Sequence, residues 1–390
     1  MATAYIVDAV RTAGGRRGGK LASWHPVDLA AATLDALVAR SGIEGTKVDD
    51  VIMGCVTQAG QQAMQVGRNA VLAAKNLPDS VPAVTIDRQC GSSQQAMQFA
   101  AQAVMSGTMD VVIAAGVESM TRVPMGSNAM FHMKEGLGHY KSQRLDEKYP
   151  GIMFSQFMGA EMIVKKHGFT KDVLDQFALN SHQKAIAATH AGLFDHEIVS
   201  LDVETPEGTI QHKIDEGIRF DATLEGIAGV KLLQEGGALT AASSSQICDG
   251  ASAVLIVSEQ ALKEHGLTPI ARIHNLTVTA GDPVIMLEEP LFATDRALQR
   301  AGMKISEIDA FEVNEAFASV PLAWLKHTGA DPEKLNMHGG AIALGHPLGA
   351  SGTKLMATLL NVLKAKGGKY GLQTMCEGGG VANVTIVEAL

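Results

Sequence analysis

The chain has 390 residues, 46% of them hydrophobic and 19% charged, with a formal net charge of −9. A single hydrophobic core stops growing at roughly 250–300 residues, so this length predicts two domains or one duplicated core, and the composition excludes a disordered or fibrous chain. The acidic balance argues against a nucleic-acid partner, and any polyanionic ligand would have to meet local basic residues.

The N-terminal stretch Met1–Asp8 has no basic flank and no long apolar run, and no later segment reaches the roughly 18 apolar residues of a membrane span. A cytoplasmic protein without a membrane partner is expected. Residues 29–55 then read as a helix with Ala30, Leu34, Leu37 and Val38 on one face, followed by Gly42, a polar turn, Asp50 and the strand Val51–Met53. A second strand, Ala83–Ile86, runs into Cys90-Gly91-Ser92-Ser93, which opens a helix carrying Met97, Ala101, Val104 and Met105 and closing at Gly107. The strand Val111–Ala114 follows.

Residues 119–245 are more polar and match nothing else in the chain, so they read as an insertion. It includes an amphipathic helix begun by Thr170, with Asp172 in its first turn and Val173, Phe177 and Ala178 along it. Beyond it the earlier plan returns about 260 positions later. A helix ends at Gly302, Asp309 precedes the strand Ala310–Val313, and Gly349-Ala350-Ser351-Gly352 opens a helix with Met356, Leu359, Leu360 and Leu363 before Gly367. The strand Leu372–Met375 closes the copy. Two such copies predict α/β units whose loops gather at one end of a sheet, with the insertion covering a binding site there.

Four cysteines, at positions 55, 90, 248 and 376, match neither a disulfide framework nor a metal site, and no histidine cluster suggests a metal. Cys90 sits between a strand and a helix N-terminus, where the helix dipole is expected to lower a thiol's pKa; it reads either as a nucleophile or as a small core cysteine. His346 lies in the glycine-rich stretch Gly339–Gly352, which implies close backbone approach and one imidazole exposed to a ligand, or else a solvated loop histidine. Cys376 precedes Glu377-Gly378-Gly379-Gly380, whose bare amides suit an oxyanion, although a structural thiol is the alternative. Asn314, at the end of a strand, suits a ligand or water but also an ordinary helix N-cap. Cys55 and Cys248 read as core.

These segments together resemble the thiolase family along essentially the whole chain. Asp87-Arg88-Gln89-Cys90-Gly91-Ser92 is similar to its nucleophile motif, Asn314-Glu315-Ala316-Phe317 to N-E-A-F, Gly345-His346-Pro347 to G-H-P, and Cys376-Glu377-Gly378-Gly379-Gly380 to C-x-G-G-G. The resemblance implies an α/β fold of thiolase type, two similar halves forming a layered αβαβα core. Residues 1–118, completed by about 246–267, would form the first half, 119–245 a loop domain over the CoA site, and 268–390 the second half.

It further implies that Cys90 attacks a 3-ketoacyl-CoA while His346 takes its proton, and that Cys376 exchanges protons with the acetyl-CoA enolate and with incoming CoA. His346 with a water on Asn314 would form one oxyanion hole, and the amides of Cys90 and Gly378 the other. Arg219 and Ser245 would meet CoA, and Met158 would line the acyl pocket, with Met286, Ala316 and Phe317 also at the substrate. Coenzyme A would be a substrate, no cofactor would be held permanently, no metal would be bound, and the family habit is a homodimer or homotetramer.

The chain departs from the pattern in four places. Phe157 replaces a histidine of short-chain biosynthetic members, and Met286-Leu287-Glu288-Glu289-Pro290 replaces a glycine-rich stretch, so a changed pocket is expected, which leaves a longer or bulkier 3-ketoacyl chain as open as acetoacetyl-CoA. Ser93 stands where glycine is usual, and His338 where asparagine is usual. A ketosynthase shares this fold and nucleophile but lacks the second cysteine. A non-catalytic acyl-CoA or lipid-binding protein of the same fold would have no need of Cys90, His346 and Cys376 together.

Overall fold

The computed structural model describes residues 2–390, leaving Met1 of the N-terminal stretch outside. Among these residues nine strands carry the fold: β1 (Ala4–Thr12), β2 (Asp50–Gly54), β3 (Ala83–Ile86), β4 (Val111–Ser119), β5 (Cys248–Ser258), β6 (Ala271–Ala280), β7 (Ala310–Val313), β8 (Tyr370–Glu377) and β9 (Val381–Ala389). They run in the order β3-β2-β4-β5-β1 in the first half and β7-β8-β9-β6 in the second. The halves join where Tyr5 and Ile6 pair antiparallel with Arg272 and Ala271.

The duplication extends to single hydrogen bonds. Asp49 Oδ2 accepts from the amides of Asp110 (2.7 Å) and Val111 (2.9 Å), and Asp309 Oδ2 accepts from those of Lys369 (2.7 Å) and Tyr370 (3.0 Å). The counterpart of Asp309 is therefore Asp49, one residue before the expected Asp50, which already belongs to β2. The second half has no full copy of β3; Leu335 makes a single parallel bridge to Phe311 in its place.

Seven helices complete the description needed here: α1 (Pro26–Ser41), α2 (Ser92–Ser106), α3 (Gln156–His167), α4 (Lys171–His190), α5 (Glu289–Ala301), α6 (Ser319–Thr328) and α7 (Ser351–Lys366). Strand side chains alternate between faces, so β2 sends Val51 and Met53 to a core shared with Leu34 and Leu37 of α1, and Ile52 to the opposite face. That opposite face packs on α2 and α7, with Met97, Val104, Met356 and Leu359 between the strands of the two halves. On the far side Leu291 of α5 and Trp324 of α6 cover Phe311, Leu372 and Val384. The layers are thus αβαβα, as expected.

The two central helices meet closely at their N-termini. A Cβ on Gly352 would lie 2.0 Å from the amide nitrogen of Gln94, and one on Gly116 would lie 2.3 Å from the carbonyl oxygen of Gly349. Ser93 joins this contact, its Oγ accepting from the Thr353 amide at 3.1 Å, so the serine in place of a glycine links α2 to α7.

Between β4 and β5 the chain leaves the sheet to form α3, α4 and the hairpin Leu201–Thr205/Gly208–His212, but Ile198 and Val199 return to pair parallel with Arg11 and Thr12. Thr170 is the N-cap of α4, although its side chain makes no capping bond. The buried stripe of α4 runs through Leu174, Ala178, Ser181 and Ala185; Val173, one step of about 100° away from Leu174, is 42% exposed, contrary to its expected place on the apolar face.

Candidate active site

After β3 the chain folds back on itself before entering α2. Asp87 Oδ1 accepts from the Gln89 amide (2.6 Å), and Ser92 Oγ accepts from the Arg88 amide (2.9 Å) while donating to the Gln89 carbonyl (2.6 Å). These bonds hold Gln89 at φ +49°, a conformation that costs a non-glycine residue on the order of 1–3 kcal/mol and tends to mark functional turns. Cys90 follows, in a buried cluster with Val56, Met120, Leu348 and Met375. Leu348 is two residues from His346 and Met375 adjoins Cys376, so three distant segments converge on the thiol.

The expected lowering of the Cys90 pKa by the helix does not hold. Burial, with the Cys376 thiol and the Glu377 carboxyl close by, pushes Cys90 well above the ordinary thiol range. Cys376 is pushed up to about 12 by burial and by Glu377. The desolvation cost of a buried thiolate outweighs the partial charge at one helix end. Both cysteines are neutral thiols at neutral pH, and a nucleophile at this position needs a base at the moment of attack.

His346, two residues before the Leu348 that packs with Cys90, has the form of such a base. Ser351 Oγ lies 2.5 Å from Nδ1 and donates its own hydrogen to the Pro347 carbonyl at 2.9 Å, so it accepts from Nδ1–H and leaves the lone pair on Nε2. Burial first, then the charge of Lys354, lowers the imidazole to about 3. His346 is 3% exposed and lines a cleft, so it is not the solvated loop histidine of the alternative reading.

Asn314 Nδ2 stands 3.4 Å from His346 Nε2, and Asn314 Oδ1 is buried without a hydrogen-bond partner. Helix α6 begins only at Ser319, so Asn314 is not its N-cap. The adjoining Glu315 is a frame: its carboxyl accepts from Asn336 Nδ2 (2.9 Å), Ser181 Oγ (2.7 Å) and the Ile342 amide (3.1 Å). Gly378 lies against Gln89, where a Cβ would come within 2.8 Å of its Oε1, and Gly379 and Gly380 turn the chain at φ +85° and +76°. Cys55 and Cys248 are buried and are not among the residues that line the cleft, although Cys248 packs against Gly345 behind it, and both thiols are raised.

The cleft above His346 has a volume of about 450 Å³; Arg16, Arg17 and Arg219 border it, and Phe157, Ser245 and Phe317 are among its walls. The Ser245 amide donates to the Ala316 carbonyl at 2.9 Å, which seats both residues in the wall. Behind Arg219 a second cavity of about 390 Å³ is lined by His182, Thr223 and Gln246. Met158 faces a separate groove beside Glu161 and Met162, while its neighbour Phe157 enters the cleft and sets its ring edge-on to Phe317 at 5.6 Å. Met286, at φ +58°, is buried in the core beneath α3 and does not line the cleft.

Arg16, Arg17, Ser351 and Gln246 are among the site residues that were not singled out from sequence. The adjacent Arg16 and Arg17 had a legible signal, since a polyanion on an acidic protein demands local cations. Ser351 and Gln246 had none: their roles depend on contacts across the fold, with Gln246 Nε2 donating to the carbonyls of Gly217 and Ile342, both at 2.7 Å.

A family model described as the thiolase N-terminal domain matches residues 4–260, and one described as the thiolase C-terminal domain matches residues 267–389. A steroid 3-ketoacyl-CoA thiolase of Mycobacterium tuberculosis, FadA6, is 52% identical over 392 residues, covering 100% of this chain and 95% of that protein. A 3-ketoacyl-CoA thiolase of Yersinia pestis is 42% identical over 398 residues and covers 100% of both. The crystal structure of the Bacillus anthracis acetyl-CoA acetyltransferase superposes with a TM-score of 0.91 at 35% identity, covering 100% of this chain and 99% of that one. Human mitochondrial 3-ketoacyl-CoA thiolase gives 0.88 at 33% identity with the same coverage. By sequence over its whole length and by fold, this chain belongs to the thiolase family.

Proposed function

We propose that the protein catalyses the reversible, CoA-dependent cleavage of a 3-ketoacyl-CoA to acetyl-CoA and an acyl-CoA shortened by two carbons, through an acyl-Cys90 intermediate. The observation that carries this reading is the convergence, under one arginine-bordered cleft, of a buried thiol, a neutral imidazole with its lone pair on Nε2, and a second thiol.

Because both partners rest neutral, proton transfer from Cys90 to His346 accompanies formation of the Sγ–C bond to the ketone carbon. The bond between that carbon and the α-carbon breaks, and the departing acetyl-CoA enolate takes the Cys376 proton. Incoming CoA returns a proton to Cys376, its thiolate attacks the acyl-cysteine, and Cys90 leaves with the proton held on His346. A water on the unpartnered Asn314 Oδ1 would support one oxyanion together with His346, and the amides of Cys90 and Gly378 the other. Coenzyme A enters as substrate, met by Arg219 and Ser245 and by the added cations Arg16 and Arg17; no permanently held cofactor is part of this scheme.

Incubation with acetyl-CoA followed by mass spectrometry tests the reading: an acetyl group on Cys90, discharged by CoA, is expected, and no adduct on a folded, CoA-binding protein would sink it. Asn314→Ala should lower kcat by roughly 10²–10³-fold with little change in KM, since an oxyanion contact acts mainly on the transition state. A thiolysis assay showing mainly a KM effect would move Asn314 from catalysis to binding.

The substrate we assign is longer or bulkier than acetoacetyl-CoA. Phe157, Met120, Met125 and Leu348 give the cleft an apolar lining, and the 52%-identical relative from Mycobacterium tuberculosis is named for steroid 3-ketoacyl-CoA. Each buried methylene contributes roughly 0.8 kcal/mol, so about four extra carbons would raise kcat/KM on the order of a hundredfold. Rates on a ladder of chain lengths that peak at acetoacetyl-CoA would reverse this assignment.

We further assign residues 1–118 with 246–267 and residues 268–390 to the two halves, and 119–245 to the domain over the CoA site. Strand β3 is an edge with Val84 exposed, and Leu72 is exposed on the neighbouring helix Val66–Ala73, which supports a homo-oligomer built on that edge. No helix among the described residues is long and apolar enough to cross a membrane, and four free cysteines suit a reducing, cytoplasmic setting.

A further inference from the structure

A buried lysine outside the reaction scheme lies directly behind the proposed base. Lys354, on the first turn of α7, is 4% exposed, and its Nζ donates to the carbonyls of Leu344 (2.6 Å) and Gly345 (3.0 Å), the two residues before His346. Gly345 holds φ +78° and ψ 162°, a region open in practice only to glycine, and a Cβ there would lie 2.6 Å from Cys248 Sγ. Such backbone persists only when its surroundings hold it, and the ammonium fastens both carbonyls at that point.

The cation is itself held in a balanced buried group. Arg11 pairs with Asp215 (2.9 Å) and Glu197 (2.5 Å), and Asp215 also accepts from the Gly14 amide at 2.7 Å, so two cations and two carboxylates share the interior. Asp215 opens the segment that carries Arg219, which ties the anion-binding edge of the cleft to the loop that presents the imidazole.

We propose that Lys354 is a positioning residue for the reaction: by clamping the Leu344 and Gly345 carbonyls it fixes the His346 ring between Ser351 and Asn314. The inference rests on His346 being the base. The ionisable groups around His346 are Lys354, the Cys90 and Cys376 thiols, the Glu118 and Glu377 carboxyls near Cys90, and Arg16, Arg17 and Arg219 at the cleft. Of these, Lys354 is the one whose charge, after burial, disfavours the imidazolium.

The test compares Lys354→Met, which removes donors and charge, with Lys354→Arg, which keeps both, in thiolysis of a 3-ketoacyl-CoA. Expected for Lys354→Met is a kcat lower by about 10²-fold, the scale of a misplaced catalytic group, with KM for CoA within about twofold and the acid limb of the pH profile moved upward. Lys354→Arg should recover most of the rate and leave the limb in place. A folded Lys354→Met enzyme with unchanged kcat, or with an unmoved acid limb, overturns the proposal. Should that variant not fold, Lys354→Gln, which drops the charge but keeps a donor, decides by the same limb: upward supports, unmoved overturns. His346→Ala separates the two readings, because near-normal turnover there removes the base assignment itself, whereas an inactive His346→Ala beside a normal Lys354→Met overturns the clamp alone.

Discussion

Replacing Cys90 by alanine should reduce thiolysis at least about 10⁴-fold while leaving the protein folded, on the scale seen when a covalent nucleophile is deleted. The size of the effect follows from the chemistry: without Sγ there is no acyl-enzyme, and the covalent route that splits the reaction into two easier steps is lost. Little should change in the fold, because Cys90 contributes one sulfur to a small cluster with Val56, Met120, Leu348 and Met375, and its backbone is set by the bonds of Asp87 and Ser92. Steady-state rates, a thermal melt and the mass of the protein after exposure to acetyl-CoA check all three points. Substantial turnover by a folded Cys90→Ala enzyme would remove the nucleophile assignment and with it the scheme.

Much of this arrangement is legible in the residues because the duplication repeats physical landmarks as well as letters. Gly107 and Gly367 end α2 and α7 at φ +75° and +64°, and Gly349 and Gly352 at the start of α7 stand where backbone meets backbone. The layers follow from period-2 strands and period-3.6 helices. What sequence could not decide is direction at single-residue resolution. Val173 and Leu174 are both apolar beside a helix start, and only packing tells which one faces inward. Phe157 and Met158 pose the same problem beside the cleft, and the aromatic ring enters while the methionine faces a separate groove.

The thiol electrostatics were illegible for a different reason. A helix N-terminus is visible in sequence, whereas the desolvation that overrides it depends on Leu348, Met375 and Glu377 arriving from more than 250 positions away. His338 shows the limit from the other side: it is buried against the Phe194 ring with Nδ1 unpartnered, which no local pattern announces, and nothing in the structure explains its place there.

The division of labour between the two thiols is exposed by Cys376→Ser. Serine keeps a hydroxyl of similar size in a fully buried position, so the fold should hold, but its proton is far harder to give up than that of a thiol already raised to about 12. Loss of a positioned acid–base group costs roughly 10²–10⁴-fold, and that loss should fall on the steps in which the enolate is protonated and CoA is deprotonated. Attack by Cys90 uses His346, whose lone pair Ser351 directs and which Cys376 does not supply. Acetylation of Cys90 by acetyl-CoA runs the CoA step backwards, so the adduct should form slowly in Cys376→Ser, as CoA leaves without a donated proton, yet still accumulate on long incubation while turnover collapses. An adduct absent from the folded variant even after long incubation would mean that Cys376 also activates the nucleophile, and the two proton paths would have to be redrawn as one.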